Sequence, residues 1–258
     1  MIETVLATET EAFCKEWLVK FPGQYDEKLI KDVCAQAKVL EGCHSQLKRY
    51  PLFHYDRSGQ KTGKKILVFA LVHGDEIPAG SLARQWIERL SRLENPRNNW
   101  RVVPIVNPEG VEAISRTNGR GVDLNRNMPT VDWNEQAHRF WKENGKKSSR
   151  RYPGETAGSE QETICKILHL QDYKPDFVIS IHTPYGLLDF DGPKMGANHF
   201  KNLPWKRLGH YPGSLGRYVW HERKIPTLTI ELKGNTFNLE DVYMDDLQDV
   251  AGSMATKI

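Results

Sequence analysis

A continuous apolar run, Ile66-Leu67-Val68-Phe69-Ala70-Leu71-Val72, stops abruptly at His73-Gly74-Asp75-Glu76. A run without polar alternation predicts a strand buried on both faces. Arg101–Val106, Phe177–Ile181 and Pro226–Ile230 predict further strands, leading into Asn107-Pro108-Glu109-Gly110, His182 and Glu231 respectively. Helical periodicity covers Ser81–Leu93, soon after a Pro78 that suits a helix start. It returns in Ser159–Leu170, opened by the capping pair Ser159-x-x-Glu162, and in Leu239–Thr256. A short helical patch spans Ala137–Trp141, and the stretches 111–129 and 183–216 read as long loops. Ahead of the central run, Glu9–Lys20 and Glu27–Leu40 predict helices separated by Phe21-Pro22-Gly23, and Arg49–Tyr55 a short strand. Strands alternating with helices predict an α/β fold with a mixed, mostly parallel central sheet flanked by helices. This domain occupies residues 58–258, behind a helical appendage at 1–57.

Composition narrows the classes of function. The 258 residues suffice for a core without staples. No stretch has the length of apolar residues that spans a bilayer. The net charge of +3 is dispersed, which argues against nucleic acid as a partner. The one basic cluster, Lys146-Lys147-Ser148-Ser149-Arg150-Arg151, reads as a solvated loop. None of the four cysteines forms a Cys-x-x-Cys pair, so a cysteine metal site is disfavoured. Two of Cys14, Cys34 and Cys43 can pair in an oxidising compartment. Met1–Thr10 is too polar for an export signal. The expectation is a periplasmic or secreted mature form, with a cytoplasmic protein as the alternative.

In open α/β sheets, ligands sit just beyond the carboxyl ends of the strands. His73 and Glu76, three residues apart at such an end, can share a metal ion. A lone His-x-x-Glu is a weak signal, and its weight comes from His182 and Glu231 ending two other strands. The sum fits a His73/Glu76/His182 site for one zinc ion with a position open to water. Glu231 is then the general base. The polar loop after the second strand adds Arg116, Asn125 and Arg126.

Together these motifs resemble the zinc metallocarboxypeptidases of the carboxypeptidase A type, over about residues 64–257. The resemblance implies that His73, Glu76 and His182 ligate zinc, and that Asn125 and Arg126 hold the terminal carboxylate of a substrate. It also implies that Arg116 polarises the scissile carbonyl and that Glu231 is catalytic. Asp123 is expected to hold its loop or a ligating histidine. Three blocks are similar to the bacterial branch of murein peptide amidase A: Val106-Asn107-Pro108-Glu109-Gly110, Arg116-x-Asn118-x-x-Gly121-Val122-Asp123-Leu124-Asn125-Arg126-Asn127, and Pro212-Gly213-Ser214-Leu215-Gly216. That branch cuts the γ-D-glutamyl–meso-diaminopimelate bond of murein peptides. Tyr211 corresponds to the family's mobile tyrosine, with Tyr185 and Tyr218 as alternatives. Leu215 corresponds to the pocket-selecting residue, and Arg217, Asp189 or Asp191 can meet the distal head of diaminopimelate. The resemblance implies a murein or other peptide as partner and a monomer or small homo-oligomer. Competing readings are a general or other murein-trimming carboxypeptidase, an N-acyl-amino-acid amidohydrolase, and a non-catalytic peptidoglycan-binding module.

Overall fold

Apolar residues on both faces of the central strand require cover on both sides, and the chain supplies it. The computed structural model describes residues 2–193, 203–234 and 241–258. Helices α1 (Ile2–Leu18) and α2 (Glu27–Cys34) come first, followed by strands β1 (Lys38–His44), β2 (Pro51–Arg57) and β3 (Lys65–Phe69). Next come α3 (Ile77–Arg92), β4 (Asn99–Val103), α4 (Pro108–Glu112), α5 (Trp133–Glu143) and α6 (Gln161–Tyr173). The chain closes with β5 (Phe177–His182), β6 (Tyr185–Asp191), β7 (Thr227–Lys233) and α7 (Asp241–Thr256). Leu239, where the closing helical pattern begins, lies outside the described residues.

The strands form one sheet of order β1-β2-β4-β3-β5-β7-β6. Its centre, β4-β3-β5-β7, is parallel, and β1, β2 and β6 are antiparallel to their neighbours. Alternation within β3 divides its side chains between two cores. Ile66 and Val68 pack with Phe13, Trp17, Leu82 and Trp86 from the helices of one face. Leu67 and Phe69 pack with Leu124, Met128, Leu170 and Leu215 on the other. The mixed, helix-flanked sheet is the expected fold.

Two segments differ from the pattern-based reading. Residues 38–40 continue the helical periodicity, yet they open β1. Helix α2 stops at Cys34, which is tied to Cys14 in a disulfide with Cα atoms 5.5 Å apart. Beyond it, Lys38 and Val39 pair with His54 and Phe53, so the backbone groups that a longer helix would satisfy are satisfied by β2 instead. Residues 185–191, expected as loop, form the edge strand β6. Its glycine and acidic residues obscure the alternation, but its ladder on β7 runs from Tyr185–Lys233 to Asp191–Thr227. The first 57 residues therefore contribute two strands to the sheet. Cys43 and Cys165 are buried free thiols.

Arg84 anchors the N-terminal segment to α3. It is fully buried, and its guanidinium donates to the carbonyls of Leu18, Phe21, Pro22 and Gln24 at 2.6–3.2 Å. Glu88 lies 3.5 Å away as counter-charge. Substituting Arg84→Met strands these carbonyls and leaves the Glu88 carboxylate buried with only Arg92, 3.9 Å away, as counter-charge. The expected cost is about 3–5 kcal/mol, read as a fall in Tm of roughly 6–20 °C by thermal denaturation.

Candidate metal centre

The parallel strands bring their carboxyl ends to one edge, and the expected donors gather there. After β3 the chain passes through Leu71 at φ 48° into the turn that carries His73 and Glu76. Gly74 is required in this turn: a Cβ there would lie 2.0 Å from the carbonyl carbon of Gly110, in the turn that follows β4. His182 ends β5, and Glu231 is its register neighbour on β7.

The imidazoles of His73 and His182 face each other through their Nδ1 atoms, 3.2 Å apart. Glu76 sits between them, with Oε1 2.8 Å from His73 Nδ1 and Oε2 2.8 Å from His182 Nδ1. All three are buried. The far nitrogens are also engaged: His73 Nε2 lies 3.2 Å from Asp123 Oδ1, and His182 Nε2 2.8 Å from Ser180 Oγ. An acceptor at Nε2 favours the tautomer with its proton there, which turns the Nδ1 lone pair inward. Two inward lone pairs and a carboxylate in a dry pocket form a zinc-type donor set, so the residues fit one metal ion.

Electrostatics support this assignment. Burial by itself would raise the Glu76 carboxyl, but His73 and His182 outweigh it and hold the group well below the usual carboxylate range. Asp123, fully buried, is likewise held low against its desolvation by Arg116 and His73. Glu231 behaves oppositely. Burial raises its pKa, His182 opposes this, and the nearby Glu76 charge adds to the rise. Its Oε2 is buried without a hydrogen-bond partner among the described residues. It is therefore a carboxylate with a free oxygen and raised basicity beside a metal-type centre.

The centre opens into a cavity of about 1600 Å³. Arg116 lines it, held by Nε donating to Asp123 Oδ2 at 3.0 Å, with Nη1 3.6 Å from Glu76 Oε1. Asn125 and Arg126 line it too. Asn125 Oδ1 accepts from the backbone N–H of Leu215 at 2.8 Å, which ties the two loops together. Arg126 lies under the Tyr211 ring, its Cζ 4.5 Å from the ring centroid. Its Nη1 donates to the Asn125 carbonyl at 2.6 Å, and among the described residues it forms no ion pair with a carboxylate. The loop carrying Tyr211 needs Gly213, at φ 77°, because a Cβ there would meet the Arg126 carbonyl oxygen at 1.9 Å.

The remaining sequence-derived candidates divide. Tyr211 and Tyr185 line the cavity; Tyr218 is buried in the second core. Leu215 does not line it. It is 2 % exposed and points into that same core, and its neighbours Ser214 and Gly216 reach the cavity in its place. Arg217 is turned away and pairs with Asp132 at 2.7 Å. Asp189 and Asp191 both line the cavity. Lys146, Arg150 and Arg151, expected in a solvated loop, line its rim, and Arg150 pairs with Asp75 at 2.6 Å. Sequence showed the charge of that run but not that α5 folds it back over the opening.

Comparison with known proteins agrees with this geometry. The family model for the succinylglutamate desuccinylase/aspartoacylase catalytic domain matches residues 62–183. Murein peptide amidase A of Escherichia coli (strain K12) is 32% identical over 127 residues, covering 48% of this chain and 50% of that protein. The match thus spans about half the length of that relative. The Vibrio campbellii (strain ATCC BAA-1116) protein of the same name is 28% identical over 190 residues, 70% of this chain and 74% of that one. Among solved structures, murein-tripeptide amidase from E. coli O157 superposes with a TM-score of 0.58 at 21% identity, over 85% of this chain and 91% of that chain. Bovine thrombin-activatable fibrinolysis inhibitor gives 0.65 at 16%, over 95% and 94%. The carboxypeptidase A of Helicoverpa armigera gives 0.60 at 14%, over 98% and 79%. The chain resembles murein peptide amidase A in sequence, and its fold is that of the carboxypeptidase A-type enzymes.

The geometry predicts how metal affinity divides among these residues. His182→Ala removes a donor and is expected to abolish stoichiometric zinc binding. Asp123→Asn leaves all three donors but loosens His73, and is expected to weaken binding about 10–100-fold. Competition against a chromophoric chelator measures both, and unchanged affinity in His182→Ala would overturn the assignment.

Proposed function

From a carboxypeptidase A-type fold with a His/Glu/His centre at its sheet edge, we propose that the chain is a zinc-dependent hydrolase of murein peptides. It releases a residue that bears a free carboxylate, and the bond is γ-D-glutamyl–meso-diaminopimelate. The observation that carries this reading is the Arg126 guanidinium, which has no carboxylate partner among the described residues, in the same cavity as the metal-type donors and Glu231. A guanidinium fork at a cavity wall without a carboxylate partner suits the carboxylate of a ligand. The sequence likeness to murein peptide amidase A supports the substrate class. Asp189, whose buried Oδ1 has no hydrogen-bond partner among the described residues, suits the distal ammonium of diaminopimelate.

His73, Glu76 and His182 would hold the ion. When bound, zinc lowers the pKa of water and polarises a carbonyl as a Lewis acid. The protein's own groups divide the rest of the work. Arg126 and Asn125 fix the terminal carboxylate and with it the position of the scissile bond, which removes much of the orientational cost of the reaction. Tyr211 closes over Arg126 and excludes water from that contact. Arg116, held in place by Asp123, presents its remaining N–H groups to the oxygen on which negative charge develops; one such donor is worth about 3–4 kcal/mol in barrier height. Glu231 takes the proton from attacking water on its free oxygen and delivers it to the departing amine. Its raised pKa suits both halves of that transfer.

A second reading has an observation of its own. The match to the desuccinylase/aspartoacylase catalytic domain over residues 62–183 favours hydrolysis of a small N-acyl amino acid. Both readings use the same metal donors and differ in what fills the cavity.

Mass spectrometry of zinc-loaded protein with L-Ala-γ-D-Glu-meso-diaminopimelate is expected to show free diaminopimelate, lost with chelator and restored by zinc. An intact tripeptide together with turnover of N-succinyl or N-acetyl amino acids would replace this reading with the second. Glu231→Gln is expected to lower kcat about 10²–10⁴-fold while peptide affinity stays within a few-fold.

A further inference from the structure

Outside the His73/Glu76/His182 centre, a second group of ligating side chains converges on one point. His210 lies in the loop ahead of Tyr211, His221 in the helical turn Arg217–Glu222, and Asp191 at the end of β6. His210 Nε2 and His221 Nε2 face each other at 3.0 Å, and Asp191 Oδ1 is 3.5 Å from His210 Nε2. The three donor atoms all lie within 4.8 Å of one another. A strand end, a loop and a helical turn thus aim one donor each at a shared vertex.

We propose that Asp191, His210 and His221 form a second metal site, for a borderline divalent transition ion such as zinc, that pins the loop over the cavity. The dimensions suit such an ion. Tetrahedral zinc with bonds of 2.0–2.1 Å places neighbouring donors about 3.3 Å apart; His210 stands 3.0 Å from His221 and 3.5 Å from Asp191, and Asp191 and His221 lie within 4.8 Å of each other, a gap that a small side-chain shift on binding would close. Two imidazoles and one carboxylate are a set that zinc, cobalt and nickel accept, whereas magnesium and calcium prefer oxygen donors. Without a cation the arrangement is poorly satisfied. Two neutral imidazoles facing through Nε2 share one proton at most. The Asp191 carboxylate, 11% exposed, stands two residues from Asp189 on the same strand, so the two face the same side.

The consequence is positional. The loop that includes His210 also presents Tyr211 to Arg126 and the Leu215 N–H to Asn125. Leu208 N–H already donates to Asp189 Oδ2 at 3.1 Å, one attachment of this loop to β6. Leu188 of β6 also exchanges backbone hydrogen bonds with Pro204 and Lys206 at 2.9 Å; an ion on Asp191, His210 and His221 adds a further attachment nearer Tyr211 and joins the following helical turn to it. It would act on the roof of the cavity and leave the first centre's donors untouched.

Zinc per chain, measured by inductively coupled plasma mass spectrometry after chelator stripping and equilibrium dialysis, tests this. Wild-type protein is expected to hold about two equivalents, and His221→Ala about one. The double variant His73→Ala/His182→Ala, which removes the first centre, is also expected to retain about one. Loading that double variant with cobalt should produce the visible absorption of a four-coordinate ion, and adding Asp191→Asn should erase it. Circular dichroism confirms that each variant is folded. One equivalent in wild type that persists in His221→Ala, with none in the double variant, would overturn the second site and leave the first intact. One equivalent in wild type that persists in the double variant would do the reverse: it would keep this site and remove the metal centre on which the proposed function rests.

Discussion

The parallel register of β3, β5 and β7 constrains everything else in the molecule. Parallel neighbours end at the same edge, so residues that close three separate strands become neighbours without any loop having to bring them together. His182 and Glu231 stand side by side because the register pairs them directly. His73 and Glu76 join them because β3 precedes β5 in the same direction. The cost of holding these groups is borne by the two hydrophobic cores that sandwich the strands. The donors stand on the edge of rigid structure, which holds them within the narrow tolerance that metal coordination demands.

Around this edge, burial does two opposite things to carboxylates. Glu76 and Asp123 are surrounded by cationic or protonatable partners and stay charged in the dry interior. Glu231 has burial without enough compensation, so its affinity for a proton rises. Three acidic side chains close together in one site therefore differ in character: a metal-type donor, a structural bridge and a carboxylate with raised proton affinity. Such separation of acid strengths by environment is how one residue type covers several tasks near neutral pH.

The groups legible in the sequence were those whose side chains point where their backbone points. His73 and Glu76 follow an uninterrupted apolar run, His182 and Glu231 close strands interrupted only by Ser180 and by Thr227 and Thr229, and a strand end fixes both position and exposure. Arg116, Asn125 and Arg126 were readable as a polar loop, while their roles required resemblance to a known family. Leu215 was misplaced for a definable reason: its backbone N–H reaches the site through Asn125, while its side chain turns into the core. The rim cations Lys146, Arg150 and Arg151 looked solvated because local composition reports polarity, not which residues the fold places around a cavity. Strand β6 was hidden because an edge strand beside a cavity carries acidic residues and glycine where a buried strand would carry aliphatic ones. The pairing of Cys14 with Cys34, and not with Cys43, depended on how α1 crosses α2, which spacing alone does not encode.

One carboxylate gives the site a property beyond its geometry. Asp123 holds His73 through Oδ1 and Arg116 through Oδ2, and Oδ1 also accepts the backbone N–H of Asn125 at 2.9 Å. On the proposed function, the ion and the peptide would lean on the same fixed group from opposite sides. Binding free energies linked in this way are reciprocal: whatever factor the ion adds to peptide affinity, the peptide adds to ion affinity. On the proposed function, metal occupancy would depend on supply twice over, once through the ion and once through the peptide, and under scarcity the copies already holding peptide would keep their ion longest.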